Sequence, residues 1–259
     1  MDLGISGKSA IVCASSRGLG RACATALAQA GARVVINGLD AERLARTRDE
    51  IARMTGAEIV AVAADLSTAD GRAALLAAAP EPDILVNNNG GPPARDFRKV
   101  DHDALIAGVE ANMIAPIALI QAVIDSMVER RFGRIVNITS GSVKGPYPGL
   151  ELSSGARAGL TGFVAGVARQ VAHANVTINN LLPGPFDTDR IAALNRSVAA
   201  QSGRSEDEVL RQRVEGIPAR RLGVPEEFGA ACAFLCSAQA GFIVGQSLLI
   251  DGGVFPGIL

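Results

Sequence analysis

The chain has 259 residues, 25 Lys and Arg against 26 Asp and Glu, and a net charge of −1; it is rich in Ala and Gly, with no Trp and a single Tyr, Tyr147. That length suits one large α/β domain, and near-neutral charge with no basic block argues against a nucleic-acid partner. The opening MDLGISGKSAIV has no basic region followed by an apolar core, so it reads as no signal peptide and the chain as cytoplasmic.

Short apolar runs alternate with amphipathic ones. SAIVCA (9–14) reads as a strand and 17–31 as a helix ending at Gly31. RVVIN (33–37) is the next strand and 40–54 a charged helix. EIVAVAAD (58–65) and DILVNN (83–88) are strands separated by a helix over 69–79. Two helices follow, 101–115 and 116–131, then the strand GRIVNIT (133–139). A long helix over 153–174 leads into the strand NVTINNLL (175–182). The polar stretch 190–214 reads as helical in pieces, 226–237 as a helix and QSLLID (246–251) as the last strand. Continuous apolar strands alternating with helices predict a parallel sheet covered on both faces, a single-domain Rossmann-type doubly wound α/β fold over 1–259. The long strand-free segment 183–218 is a candidate substrate lid.

The uncharged stretch 228–250 invites a membrane reading. Gly241, Gly245, Gln239, Gln246, Ser237 and Ser247 interrupt it, so it splits into a helix and a strand instead. Cys13, Cys23, Cys232 and Cys236 form no C-x-x-C pair and lie in apolar segments, the pattern of buried free thiols; no metal site is expected.

The first strand runs into CASSRGLGRA (13–22). A glycine-rich turn opening a helix can hold a phosphate, because backbone N–H groups and the helix N-terminus point at it. The turn alone is a weak signal. With the rest of the chain it resembles the short-chain dehydrogenase/reductase family, and within it the bacterial 3-oxoacyl-acyl-carrier-protein reductases. The family's T-G-x-x-x-G-x-G matches Cys13 to Gly20, with Cys13 and Ala14 in place of Thr and the first Gly. N-N-A-G matches Asn87 to Gly90, P-G-x-x-x-T matches Pro183, Gly184 and Thr188, and the tail motifs match 223–227 and 251–253.

The resemblance implies a cofactor site of Ser15, Ser16, Arg17, Gly18, Leu19 and Gly20 in the turn, with Asp65 and Leu66 at the adenine, Asn88 near the adenosine ribose, and Asn89 and Gly90 along the channel. Pro183, Gly184 and Thr188 would meet the nicotinamide end. Sheet-end hydrogen bonding is the alternative role for Asn87 to Asn89. No acid sits at the tip of the second strand, where Asn37, Gly38, Leu39 and Asp40 stand, and Arg17 could reach a 2′-phosphate; this favours NADP over NAD.

The family reduces a carbonyl with Asn, Ser, Tyr and Lys. Asn112 matches the Asn, which holds a water, and Ser140 the Ser, with Ser142 the less favoured register. The Tyr and Lys positions read Ser153 and Arg157. They stand four apart on one helix and share a face. A tyrosine with a pKa near ~10 can be pulled toward neutrality by a cation, whereas serine is a far weaker acid. Arg157 can still donate in a fork to ribose hydroxyls. Tyr147, between prolines, and Lys144 are candidate replacement acids; the two histidines, His102 and His173, fall outside the motifs.

Two functions fit. One is an NAD(P)-dependent carbonyl reductase or alcohol dehydrogenase with an altered active site. The other is a nucleotide-binding family member that has left redox catalysis. The resemblance also implies a homo-oligomer, a tetramer. The apolar stretches 160–172 and 254–259 suit buried contacts, though core packing explains the first equally well. Phe186 and Ile191 are the apolar residues expected to face a small-molecule carbonyl or alcohol under the lid.

Overall fold

The computed structural model describes residues 2–257. Its centre is one seven-stranded sheet: β1 Ser9–Val12, β2 Arg33–Gly38, β3 Ile59–Ala63, β4 Ile84–Asn87, β5 Gly133–Ile138, β6 Val176–Pro183 and β7 Ser247–Ile250, in the order β3-β2-β1-β4-β5-β6-β7. Every neighbouring pair is parallel. The order reverses direction between β1 and β4, the place where open α/β sheets leave a crevice for ligands.

Among the described residues nine α-helical segments connect the strands: α1 Gly18–Gln29, α2 Ala41–Thr55, α3 Ala69–Ala78, α4 His102–Val109, α5 Ala115–Glu129, α6 Glu151–Val171, α7 Asp189–Ser202, α8 Glu206–Glu215 and α9 Pro225–Leu235. Side chains on a strand alternate between faces, and here both faces are buried. Ala10, Val12, Val34, Ile36, Ile84 and Val86 pack toward α1, α2 and α9, with Leu27, Leu44 and Phe228. Ile11, Val35, Leu85, Ile135 and Ile178 face the other way, onto Leu75, Val123, Met127, Leu160 and Val164 of α3, α5 and α6. That double burial is why the strands read as continuous apolar runs.

The expected segments 101–115 and 116–131 are in fact one helix from His102 to Glu129. Pro116 has no amide to give the Asn112 carbonyl, so the ladder widens through one π turn, Glu110–Ile114, in which the Ala115 amide bonds the Glu110 carbonyl. This helix is long and apolar enough to cross a membrane, but Leu119, Ile120, Val123 and Met127 pack into the core. The 228–250 stretch divides as expected, into α9 and β7.

Polar groups also run through the sheet. Asn87 donates to Asn137 at 2.9 Å, Asn137 to Asn180 at 3.1 Å, and Asn180 to the Ser247 hydroxyl at 3.2 Å. This ladder ties β4, β5, β6 and β7 together at the level of their C-terminal ends. Such buried amides are stable only when partnered.

Segment 183–218 carries α7 and α8, packed on each other. Phe186 borders the cleft as expected, but its ring is almost wholly turned into the core. It is buried edge-on against Phe228 with ring centroids 5.3 Å apart, so it anchors the segment to the core. Ile191 stays half-buried on the cleft wall. The segment 254–259 is described only as far as Gly257.

Candidate active site

One continuous cleft of about 3140 Å³ runs across the carboxyl ends of the strands and under α7. Ser16, Arg17, Gly18, Leu19 and Gly20 form one wall, and Asp65, Leu66, Asn88, Asn89 and Gly90 line it further along. Ser140, Tyr147, Ser153, Arg157, Pro183, Gly184 and Thr188 stand at the other end. The residues expected to hold a cofactor and those expected to do chemistry are therefore gathered in one groove, with Ser15 and Asn112 as the exceptions.

The glycine turn is shaped for close approach. Gly18 has φ +57, and a methyl group built there would lie 3.7 Å from the Thr188 methyl. A methyl on Gly20 would overlap the Ala14 carbonyl and crowd the Asn88 amide. No side chain caps the N-terminus of α1, and no acid stands in its first turn. Its amides and positive dipole end are open to a phosphate. These features fit a dinucleotide diphosphate. Ala14, where the family has glycine, sits at φ 43, a left-handed conformation that costs an L-residue energy.

Several of the expected ligands also hydrogen-bond or pack within the protein. The Ser15 hydroxyl is fully buried; it donates to the Val12 carbonyl at 2.7 Å and accepts the Asn37 amide at 3.0 Å. It joins β1 to β2 and faces away from the groove. The Asn88 amide bonds the Ala14 carbonyl at 3.1 Å, and the Asn89 amide bonds the Ala111 carbonyl at 2.9 Å. The side chains of Asn87, Asn88 and Asn89 thus each make a hydrogen bond within the sheet end, while Asn88 and Asn89 also line the cleft. Leu66 packs its side chain into the core. Asp65 shapes its own loop, accepting from the Ser67 amide at 2.9 Å and the Ser67 hydroxyl at 2.8 Å through one carboxylate oxygen.

Arg157 is nearly inaccessible, 8% exposed. Its Nη1 donates to the carbonyls of Ile138 at 2.6 Å and Thr139 at 2.8 Å, Nη2 to the Asn89 carbonyl at 3.3 Å, and Nε to the Ser153 hydroxyl at 3.2 Å. Four of its five N–H donors are thus committed. The guanidinium clamps the end of β5 to the loop after β4, and the expected fork to a ribose is reduced to one free donor. Burial, then the like charge of Arg190, pushes its pKa down to about 10, still a cation at neutral pH.

Ser140 follows β5. Its hydroxyl oxygen accepts the Ser142 amide at 3.1 Å and lies 2.8 Å from the Ser142 hydroxyl. The register set aside for Ser142 therefore matters as a partner of Ser140. Asn112 lies in the π turn, buried, with its amide on the Gly108 carbonyl at 3.2 Å. Its side-chain oxygen has no hydrogen-bond partner among the described residues. It borders a separate cavity of about 20 Å³ shared with Asn87, Asn89 and Arg157, enough for one water.

Tyr147 reaches the cleft, while Lys144 is exposed and does not line it. Burial and Asp251 push the Tyr147 phenol pKa up, partly countered by Arg213. His102 and His173 are exposed and away from the groove. Arg190 and Arg213, which no motif flagged, both line the cleft. Arg190 stands two residues past Thr188 of a matched motif, the only sequence signal that could have found it.

The family model for enoyl-(acyl carrier protein) reductase matches residues 13–255. The chain belongs to the short-chain dehydrogenase/reductase family. Acetoacetyl-CoA reductase of Allochromatium vinosum is 33% identical over 95% of this chain and 98% of its own length. A 3-oxoacyl-[acyl-carrier-protein] reductase of Aquifex aeolicus is 32% identical over 98% of this chain and 100% of its own. The crystal structure of L-sorbose reductase from Gluconobacter frateurii, complexed with NADPH and L-sorbose, superposes with a TM-score of 0.93 at 27% identity, covering 100% of both chains. Membership at this coverage makes the chain a short-chain NAD(P)-dependent oxidoreductase.

Proposed function

We propose that the chain is a cytoplasmic, NADP-dependent reductase of a small carbonyl compound, working with Ser153 and Arg157 where the family carries Tyr and Lys. The observation that carries this reading is the Ser140–Ser142 pair beside Arg157. Ser140 oxygen receives the Ser142 amide and hydroxyl, so its own O–H remains free to donate into the cleft. A hydroxyl that accepts two bonds is a better donor through cooperative polarisation. It would hold the carbonyl oxygen, and the Arg157 cation behind Ser153 would stabilise charge developing there.

A bound nicotinamide dinucleotide supplies the hydride. The residues present would hold it: α1's first amides at the diphosphate, Asp65 at the adenine edge, and Thr188 at the carboxamide. The NADP preference rests on the end of β2. Asp40 turns its carboxylate onto the Arg43 amide at 3.0 Å as the cap of α2, while Arg17 and Arg43 line that end of the cleft. The Asp40 carboxylate is held by its cap and by Arg43 rather than offered to a ribose 2′-hydroxyl, and Arg17 and Arg43 supply the cations a 2′-phosphate would need. Tyr147, held protonated, or solvent relayed by Ser140 supplies the proton. Segment 183–218 acts as the lid, pinned to the glycine turn by the Arg17–Asp189 ion pair at 2.8 Å. A homotetramer is supported by the exposed Leu105, Ile106, Ile114 and Phe163 on the helices around α4 and α6.

NADPH and NADH binding, followed by fluorescence, tests the cofactor; NADPH should bind at least tenfold tighter, and Gly20→Ala should abolish it. A carbonyl panel then tests turnover, which Ser140→Ala should lower by roughly 10²-fold or more. Tight NADPH binding without hydride transfer to any substrate would instead favour the nucleotide-binding member that has left redox chemistry.

A further inference from the structure

Resting on that reading, we infer that the substrate carries its own anionic group, a carboxylate or phosphate, and that Arg190 is the residue that selects it. Arg190 comes from α7 and reaches across the cleft to the loop after β4. Its Nη1 donates to the Gly91 carbonyl at 3.3 Å and Nη2 to the Pro92 carbonyl at 2.8 Å. Among the described residues its remaining donors have no protein partner, and no carboxylate lies within ion-pairing distance of it. The neighbouring Asp189 is already spent on Arg17.

A second cation shares the spot. A methyl group built on Gly91 would have as its three nearest atoms the Arg190 Nη2 at 3.4 Å, its guanidinium carbon at 3.7 Å, and the Arg157 Nη2 at 3.8 Å. Arg157 feels this proximity as like-charge repulsion. Position 91 has no side chain, so the approach between the two guanidinium groups is open. Two cations held near each other without an ion-pair partner, one buried and one at the open face of the cleft, repel each other, and a bound anion would relieve that repulsion. Arg213, half-buried on α8, also lines the cleft, near Tyr147, with its Nε on Asn195 at 2.8 Å rather than on an acid. Glu151 and Asp251 face backbone amides and form no ion pair with these arginines among the described residues: Glu151 accepts the Gly149 amide, and Asp251 accepts the Gly253 and Phe255 amides.

An anion could come from the substrate or from the cofactor's phosphates, and the two are separable. The glycine turn meets the same N-terminal end of α7, with Arg17 on Asp189 and its own helix N-terminus for the diphosphate; Arg190, the next residue, turns instead toward Gly91, Pro92 and Arg157, on the Ser140 side, and its effect on NADPH affinity separates the two sources.

The test uses pyruvate, acetoacetate and levulinate, each against its methyl ester, with dissociation constants measured by ligand-observed NMR on the whole chain with and without NADP⁺. In at least one pair the acid should bind ten times more tightly than the ester, falling to less than threefold in Arg190→Gln. Arg190 is at the surface, and an unchanged thermal midpoint establishes that the variant is folded. Ratios within threefold for every pair in the unaltered protein, or a ratio that survives Arg190→Gln, overturn the inference. So does a loss of more than threefold in NADPH affinity in Arg190→Gln, which would assign the anion to the cofactor. Absence of NADPH binding to the unaltered protein would remove the reductase reading. The carboxylate comparison without nucleotide would still decide the role of Arg190.

Discussion

Replacing Arg157 by leucine separates a clamp from a cofactor ligand. The substitution strips the donors from the carbonyls of Ile138, Thr139 and Asn89 and from the Ser153 hydroxyl. Hydrogen bonds to a charged donor contribute about 1.5–3 kcal/mol each. Set against them is the desolvation of a buried guanidinium, several kcal/mol, which the leucine relieves. The carbonyls at the cleft edge also regain some water. The balance is a loss of about 3 kcal/mol, in line with removing one partner of a buried charged network. Urea unfolding at fixed protein concentration, followed by circular dichroism, should show the midpoint falling by about 1 M for a slope of about 3 kcal/mol/M. Arg157→Lys keeps the charge but not the fork, and should lose about half as much. A leucine variant that unfolds within about 0.2 M of the unaltered protein but binds NADPH tenfold more weakly would refute the clamp. The guanidinium would then serve the ribose instead.

Two further outcomes follow from the same geometry. Ala14 holds φ 43 in the glycine turn, so Ala14→Gly should remove strain and stabilise by about 0.5–1 kcal/mol, a rise of roughly 2–3 °C by calorimetry. A fall in the midpoint would mean that the methyl's packing outweighs the strain. All four thiols are buried. Burial pushes Cys13 up to about 12, and Cys232 and Cys236, which touch each other, are also raised. At pH 8 all three are therefore protonated and enclosed. Dithionitrobenzoate should titrate none of the four in the native chain and all four in denaturant; rapid native reaction of Cys23, Cys232 or Cys236 would contradict the packing of α1 on α9, and of Cys13 the core against Leu66 and Leu119.

The strands were legible because both sheet faces are buried, which leaves an apolar run such as Ile84–Val86 no other use. Helix borders were less so. Pro116 argued for a break between two helices, yet a π turn absorbs it, because neighbouring elements hold the helix on both sides of the lost bond. At the site, the motifs located the cleft but not the direction of each side chain. Ser15 and Asn88 stand in a cofactor motif and spend their polar atoms on the scaffold, since a sharp turn between strand and helix leaves carbonyls that something must satisfy. Arg190 escaped notice because its partners are backbone carbonyls nearly a hundred residues away, a contact no local pattern encodes. The Asn87–Asn137–Asn180 ladder was hidden for a similar reason: it depends on strand register across the sheet.

Ser153 and Arg157 are best understood as one unit. Both are buried, and the serine hydroxyl is the acceptor for Nε of the arginine. A phenol introduced alone at 153 would stand against a guanidinium already fixed to three carbonyls, with no freedom to rearrange around it. A lysine introduced alone at 157 would lose the fork and face a serine too short to act as an acid. Each single change should therefore lower stability and leave reduction slow. Together, Ser153→Tyr and Arg157→Lys supply a phenol with a mobile cation four residues on. The double variant should exceed either single one by roughly 10²-fold or more in kcat/KM, the scale of a regained general acid. It should also show a coupling in stability of about 1 kcal/mol, the signature of residues in contact. Its rate should fall at alkaline pH as the phenol loses its proton, a limb the unaltered protein lacks near neutrality because Tyr147 is shifted upward. If Ser153→Tyr alone recovered the full rate, Arg157 would be an adequate partner for a phenol as it stands. The two substitutions would then be independent changes rather than a matched exchange.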